Sequence, residues 1–308
     1  MTSYASRSNH RLKASLSDRR QADCSIRKNA ASCFIGSFVL AALVCAAVAI
    51  VKCPVTVAQD TSAADEMRAG VLAYKFADYA GAAEHFKAAL TLKPDLTSAR
   101  LFLATSYAQQ YIPGDESEAN VAMAQQAIDE FKKVLKDDPS DQERYKSVVP
   151  LASLSFNIKR LDDARSYYEK AIALKPDEAR SYFMIGLIDW TEASQARAKA
   201  KSGLALTEGQ LISKPDDCVA LRTQNQQQVE DGIQRLQKAI ELQPDYDDAM
   251  GYLNLLYRER AEYECDDPDA RKADLKAADD WTDKAIATRK AKAEGTALEK
   301  PAPTSKQP

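Results

Sequence analysis

A phrase that ends in proline, and returns along the chain, limits what this sequence can fold into. Within residues 161–177, Ala164, Tyr168, Ala171 and Leu174 recur every three or four positions and are followed by Lys175-Pro176-Asp177. That spacing places the four on one face of an α-helix. The helix has to stop at the lysine, because proline disfavours the α conformation in the residue before it. Counting back from Pro94, Pro139, Pro176 and Pro244, a small residue stands twelve earlier, at Ala82, Ala127, Ala164 and Gly232. A bulky residue stands eight earlier, at Phe86, Phe131, Tyr168 and Leu236, and a slim one five earlier, at Ala89, Val134, Ala171 and Ala239. A fifth copy keeps its two small positions, Ala278 and Ala285, and lacks the proline. Upstream of most copies lies a second helical stretch with a small residue at a matching offset, Gly70, Ala104, Ala152 or Gly186, followed by an aromatic at Tyr74, Tyr107, Phe156 or Trp190.

This pattern resembles the tetratricopeptide repeat, a helix–turn–helix unit of about 34 residues. The resemblance covers roughly residues 62–292. It implies an all-α, right-handed superhelical solenoid of about five helix pairs, preceded here by one N-terminal hydrophobic helix. The physical content is close packing. Small residues let paired helices approach, the bulky residue fills the groove between repeats, and proline ends the second helix.

Composition agrees with an all-α chain: 10 glycines in 308 residues, many alanines and 28% charged residues. Charge is uneven. Residues 1–58 hold eight Lys/Arg and two Asp/Glu, whereas the remainder holds 34 and 43, a net of −9. An acidic body argues against nucleic acid as the main partner, since phosphate recognition needs a basic face.

Residues 1–28 are polar and basic without apolar periodicity, which reads as a disordered cytoplasmic tail. Residues 29–51 carry no charge, and the stretch from Cys33 to Val51 is almost wholly apolar. At 1.5 Å per residue it is long enough to cross a bilayer core as a transmembrane anchor. The positive-inside rule then leaves the repeats on the far side, in the periplasm of a bacterial inner membrane. The rival reading is the apolar core of a signal peptide, cleaved near Ala58 after Thr56-Val57-Ala58. Val44 stands where a lipoprotein would need a small residue before Cys45. Residues 52–61 read as a linker.

The repeats divide as 62–95, 96–140, 141–177, 178–245 and 246–292, with a disordered tail at 293–308. In the second, residues 111–120 read as an exposed loop. In the third, Pro150 falls inside the first helix and predicts a kink or a late start. The fourth is twice the usual length. Its insertion, 193–226, contains a further Lys214-Pro215-Asp216 and is either a decayed repeat or a helical insertion. The fifth has a loop at 264–268. The block from Pro244 to Lys292 is similar to exported bacterial tetratricopeptide-repeat proteins of unassigned activity, a likeness that favours the envelope and adds no mechanism.

Little in the chain carries catalytic chemistry. There are two histidines, His10 in the tail and His85 beside Phe86, too few for a two-histidine metal site in the body, and no glycine-rich phosphate loop appears. The acidic clusters at 245–248 and 266–269 lack the Gly and Glu of a calcium loop and sit at helix starts, where carboxylates cap backbone N–H groups. No nucleophile–base pair is readable, so the chain reads as a non-enzyme without a cofactor. Four of six cysteines precede the repeats, and Cys218 and Cys265 remain. Both belong to the edge where the loops within repeats emerge, so an oxidising compartment would permit a disulfide between them; two unpaired thiols are the alternative.

The first helix of each repeat is expected to line a groove. Its residues read Met67, Val71 and Tyr74; Leu101 and Thr105; Val149, Ser153 and Phe156; Phe183, Leu187 and Trp190. The resembling family includes chaperone-binding members that clamp a peptide carboxylate with Lys, Asn and Arg here, and those residues are absent. An apolar groove suits an apolar helix or extended segment of a partner protein; the alternative is that these side chains are simply core between helices. The leading reading is a membrane-tethered or exported scaffold for another protein. A small-ligand pocket near Phe183, Trp190 and Trp281 is the second reading, and an enzyme accessory role a distant third.

Overall fold

A computed structural model describes residues 62–298, which form ten α-helices and, among the described residues, no strand. They pair along the chain: α1 (Ala63–Lys75) with α2 (Tyr79–Leu92), α3 (Thr97–Gln110) with α4 (Glu118–Lys136), α5 (Asp141–Asn157) with α6 (Leu161–Leu174), α7 (Ala179–Gly203) with α8 (Pro215–Leu242), and α9 (Asp247–Tyr263) with α10 (Pro268–Leu298). Each helix also packs on the next in sequence, as a solenoid requires. The odd helices touch across repeats, α1 with α3, α3 with α5 and α7 with α9, while the even helices have no comparable mutual contacts. The odd helices therefore form the crowded layer and the even helices fan apart outside it.

The repeat register becomes packing. Phe86, Phe131, Tyr168 and Leu236 are all fully buried. Their sockets are the small positions of the first helices. A methyl added at Gly70 would lie 2.6 Å from Phe86 Cε1, and one at Gly186 would lie 2.6 Å from Leu236 Cγ. Ala104 and Ala152 hold the equivalent places, also fully buried. Proline sets the exits. Lys93, Lys175 and Gln243, each just before a proline, share nearly one backbone conformation, with φ of −141°, −142° and −134°. Repeat two departs from this: α4 ends at Lys136, and Asp138 before Pro139 has φ 46°.

The turns inside repeats one and three follow a device that no proline or glycine announced. Ala77 and Lys159 take positive φ (59° and 63°), and the next amide reaches back five residues, Asp78 N–H to the Ala73 carbonyl and Arg160 N–H to Ser155. This is the left-handed helix ending usually given to glycine. Ala205 ends α7 the same way, with Leu206 N–H on the Lys201 carbonyl.

Several sequence expectations change. Helix α5 starts at Asp141 behind a Ser140–Glu143 capping box, so Pro150 lies mid-helix without delaying the start. Lys214-Pro215-Asp216 does not end a helix: Pro215 opens α8 as its first residue, where its missing N–H is no loss. Of the two readings of 193–226, the helical insertion describes the structure: the segment is the lengthened ends of α7 and α8 with a link between them. Helix α10 continues to Leu298, past the expected end at Lys292. Residues 112–119 are exposed as read, yet the loop is anchored at both ends: Tyr111 is buried, and the buried Asn120 amide accepts from Ile112 N–H and donates to the Ile112 and Asp115 carbonyls. Asp267 caps α10 through Asp269 and Ala270 N–H, but Asp247 does not cap α9; it accepts from Arg289 and Lys292 and ties α9 to α10. The anchor or signal segment at 29–51, the tail before it and the cleavage position fall outside the described residues, and among those described no helix is long and apolar enough to cross a membrane.

Two buried polar seams secure the long fourth repeat. In one, Arg165 of α6 reaches Asp189 and Glu192 of α7, and Gln228 of α8 also donates to Glu192. Burial pushes the Asp189 carboxyl up to about 6, against the pull of Arg165. In the other, Arg197 Nε sits 3.0 and 2.9 Å from the two Glu259 oxygens, and its guanidinium also meets Glu208. Lys201, 2% exposed, donates to the Glu208 carbonyl and lies 3.1 Å from Glu262. Burial is also the leading influence on Glu259, whose carboxyl is raised despite Arg197.

Two outcomes follow from this packing. Phe131→Ala should cost about 3–5 kcal/mol through a cavity, and Gly186→Val about 1–3 kcal/mol through overpacking. Urea unfolding measures both, and a cost below about 1 kcal/mol for Phe131→Ala would contradict the packing role assigned here. The second outcome concerns pH. Folded Asp189 holds its proton up to about 6 while the unfolded group releases it near 3.8. The folded state therefore binds the extra proton between those values, and stability falls as pH rises through the window. The contribution is on the order of 1–3 kcal/mol. Asp189→Asn should flatten that slope in denaturant midpoints taken at pH 4, 5, 6 and 7, and parallel curves for the two proteins would contradict it.

Candidate partner-binding face

The expected groove residues all lie on odd helices: Met67, Val71 and Tyr74 on α1, Leu101 and Thr105 on α3, Val149, Ser153 and Phe156 on α5, and Phe183, Leu187 and Trp190 on α7. Every one is half-buried, neither sealed nor fully open. Their environments differ. Met67, Val71, Tyr74 and Leu101 lean on the core of repeats one to three, with the Tyr74 ring 5.1 Å from Tyr79 and 6.2 Å from Phe102. Thr105 spends its hydroxyl on the Leu101 carbonyl, and Ser153 on the Tyr168 hydroxyl at 3.0 Å. Phe156 packs on the core shared by repeats three and four. Val149 and Leu187 belong to none of the core clusters.

At the fourth repeat the aromatic side chains meet. Phe183 lies 4.9 Å from Tyr246 and 5.7 Å from Tyr252, and Trp190 lies 5.2 Å from Tyr252, measured between ring centroids. These edge and tilted contacts bind α7 to α9 and its preceding turn. Burial pushes the Tyr246 phenol up to about 12, so this hydroxyl stays neutral at physiological pH. Trp281 joins the same core from α10 with Lys284 Nζ 3.9 Å above its ring. These aromatics pack against each other between the helices, and each is half-buried.

Two clefts lie elsewhere, and neither is lined by Phe183, Trp190 or Trp281. One, of about 440 Å³, runs between α6 and α8 over α7, and is lined by Arg165, Glu169, Ile185, Asp189, Glu192 and α8 residues from Gln224 to Arg235. The sequence reading passed over it. Its only sequence signal was Asp189, a carboxylate beside two core isoleucines, Ile185 and Ile188, in an otherwise apolar stretch of helix. The other, of about 110 Å³, lies against Cys218 and Cys265. Those sulfurs are bonded to each other, with Cα atoms 5.8 Å apart, joining the start of α8 to the α9–α10 link. His85 Nδ1 lies 2.7 Å from the Glu66 carboxylate and links α1 to α2, a structural contact. Among the described residues no group of three His, Cys, Asp or Glu could hold a metal ion.

Comparison with known proteins agrees with this geometry. The tetratricopeptide repeat family pattern matches residues 149–178, from the middle of α5 through α6 and its exit. No curated protein sequence matches the chain. Among solved structures, the chain is similar to the MamA protein at 18% identity and a TM-score of 0.51, covering 75% of this chain and 94% of that one. It is also similar to MamA from Desulfovibrio magneticus RS-1, residues 41 to the end, at 17% identity and a TM-score of 0.49, covering 74% and 96%. YrrB, described as a TPR protein with an unusual peptide-binding site, aligns at 14% identity and a TM-score of 0.47, covering 75% and 94%. At such identities the first likeness speaks for the fold alone. With the matched repeat, the recurring small–bulky register and five helix pairs stacked in order, residues 149–178 carry a tetratricopeptide repeat and the described residues have the fold of a tetratricopeptide-repeat solenoid.

Proposed function

We propose that the chain is a protein-interaction scaffold that holds an apolar segment of another protein along the odd-helix face, from Met67, Val71 and Tyr74 through Leu101, Thr105 and Phe156 to Phe183, Leu187 and Trp190. The observation that carries this reading is that every one of these side chains lies on an odd helix and keeps part of its surface open, with α1, α3 and α5 touching in series and α7 touching α9. Stacked repeats hold such a face rigid, so a partner segment is bound with little ordering cost on this side. The absence of Lys, Asn and Arg from the clamp positions favours side-chain burial over carboxylate capture as the source of affinity.

The location proposed for this scaffold is the bacterial envelope, with the repeats outside the cytoplasm, tethered through residues 29–51 or released after cleavage near Ala58. The Cys218–Cys265 disulfide supports it, because such bonds persist in oxidising compartments and are rare in the cytosol. It also closes a 47-residue loop, worth up to about 4 kcal/mol in the chain-entropy account, so its loss would matter to the fourth repeat.

A photo-crosslinking amino acid at Leu187 should trap a protein partner in the native host, while one at Glu230 of α8, which is half-buried to the same class, should not. Equal trapping at both positions would count against the odd-helix face. Location has its own measurement. Peptides bearing Cys218 and Cys265 from freshly alkylated cells should be recovered linked; free, alkylated forms of both would argue for a reducing compartment.

A further inference from the structure

The cleft between α6 and α8 lies on the opposite side of α7 from Leu187, and it is built differently. Four carboxylates line it, Glu169, Asp189, Glu192 and Asp231, against two arginines, Arg165 and Arg235. Arg165 is already committed to Asp189 and Glu192. The Asp231 carboxylate accepts only from its own helix, from the Gln227 amide at 3.0 Å. Asp189 lies in the floor, 1% exposed, and its Oδ2 has no hydrogen-bond donor. A buried acceptor without a donor costs about 1–3 kcal/mol. Gly232 makes this floor possible: a methyl there would lie 2.8 Å from Asp189 Cβ. The small residue of the repeat register here makes room for a carboxylate.

We propose that this cleft is a second binding site, for an organic cation: the guanidinium or ammonium of an arginine or lysine side chain presented by a partner protein. Excess carboxylate and an unsatisfied acceptor call for a cation that carries several N–H donors. A planar guanidinium supplies five in a fork that fits paired carboxylates. The rim argues for a protein-borne cation over a free one. Gln224 of α8 presents a carboxamide donor and acceptor, while Gln227 and Gln228, whose amides already donate to Asp231 and Glu192, add their carboxamide oxygens as acceptors. A peptide backbone needs both, whereas a polyamine offers only N–H donors. Arg165 fixes the Asp189 and Glu192 carboxylates in place, so the pocket is ordered before the cation arrives.

The test is calorimetric titration of the full chain at low and physiological salt with three probes: an arginine-containing peptide, N-acetyl-arginine amide and spermidine. The expected result is saturable binding, tightest for the peptide and weakened by salt. Asp231→Lys places a competing ammonium at the rim, and its affinity should fall about tenfold or more. Asp231 is exposed, so the thermal midpoint should not move. Asp189→Asn, which removes the buried charge at constant volume, should weaken binding too, and Lys272→Ala, at an exposed position on α10 outside both faces, should leave it unchanged. Wild-type affinity in Asp231→Lys, or no saturable binding by any probe, would overturn the site. Spermidine binding more tightly than the peptide would overturn the protein-borne source.

Discussion

The contact on which the structure rests is a bulky side chain of one helix pressed on a residue with almost no side chain of its partner. Phe86 on Gly70 and Leu236 on Gly186 leave no space for one added methyl. Close approach gives each pair its dispersion contacts and removes its apolar stripe from water. No pair has a core of its own large enough to stand alone, so stacking is obligatory and stability is shared between neighbours. Everything placed on the outer and inner surfaces is held by that repeated interlock.

The fourth repeat shows how far the scheme stretches. Lengthening α7 and α8 carries both helices beyond the edge that the other repeats share. The extension is held by the Arg197–Glu259 and Lys201–Glu262 pairs and by the Cys218–Cys265 bond. Burying charges is costly unless each is paired and hydrogen-bonded. Here each ammonium or guanidinium has at least two oxygen partners. The same logic shapes the α6–α8 cleft, with one difference. There the carboxylates outnumber the arginines, and the imbalance leaves the cleft with an excess of negative charge.

Much of this was legible before any coordinates. The period of the small and bulky positions fixed the helix pairs, and the prolines marked three exits that share one backbone conformation. Less legible were events decided by single side chains. Pro215 reads like Pro94 and Pro176 in its Lys-Pro-Asp setting, yet it opens a helix, because what distinguishes a stop from a start is whether residues before or after it find packing partners. Asp247 reads as a cap, yet it faces Arg289 and Lys292 across an interface whose register no local pattern encodes. The left-handed turns at Ala77 and Lys159 had no glycine to announce them; the packed pair on either side imposes them.

Sequence alone determined that the chain is a row of short helices with one apolar stripe each, since spacing and proline act locally and need no neighbour to be read. The family resemblance carried by that register also pointed to the first helix of each pair, and the residues expected there are half-buried on odd helices. Only the tertiary structure decided what meets what between repeats. Asp189 comes under Gly232 and beside Arg165 because α7 lies between α6 and α8, and residues distant in the chain share a cleft only once the stack has closed.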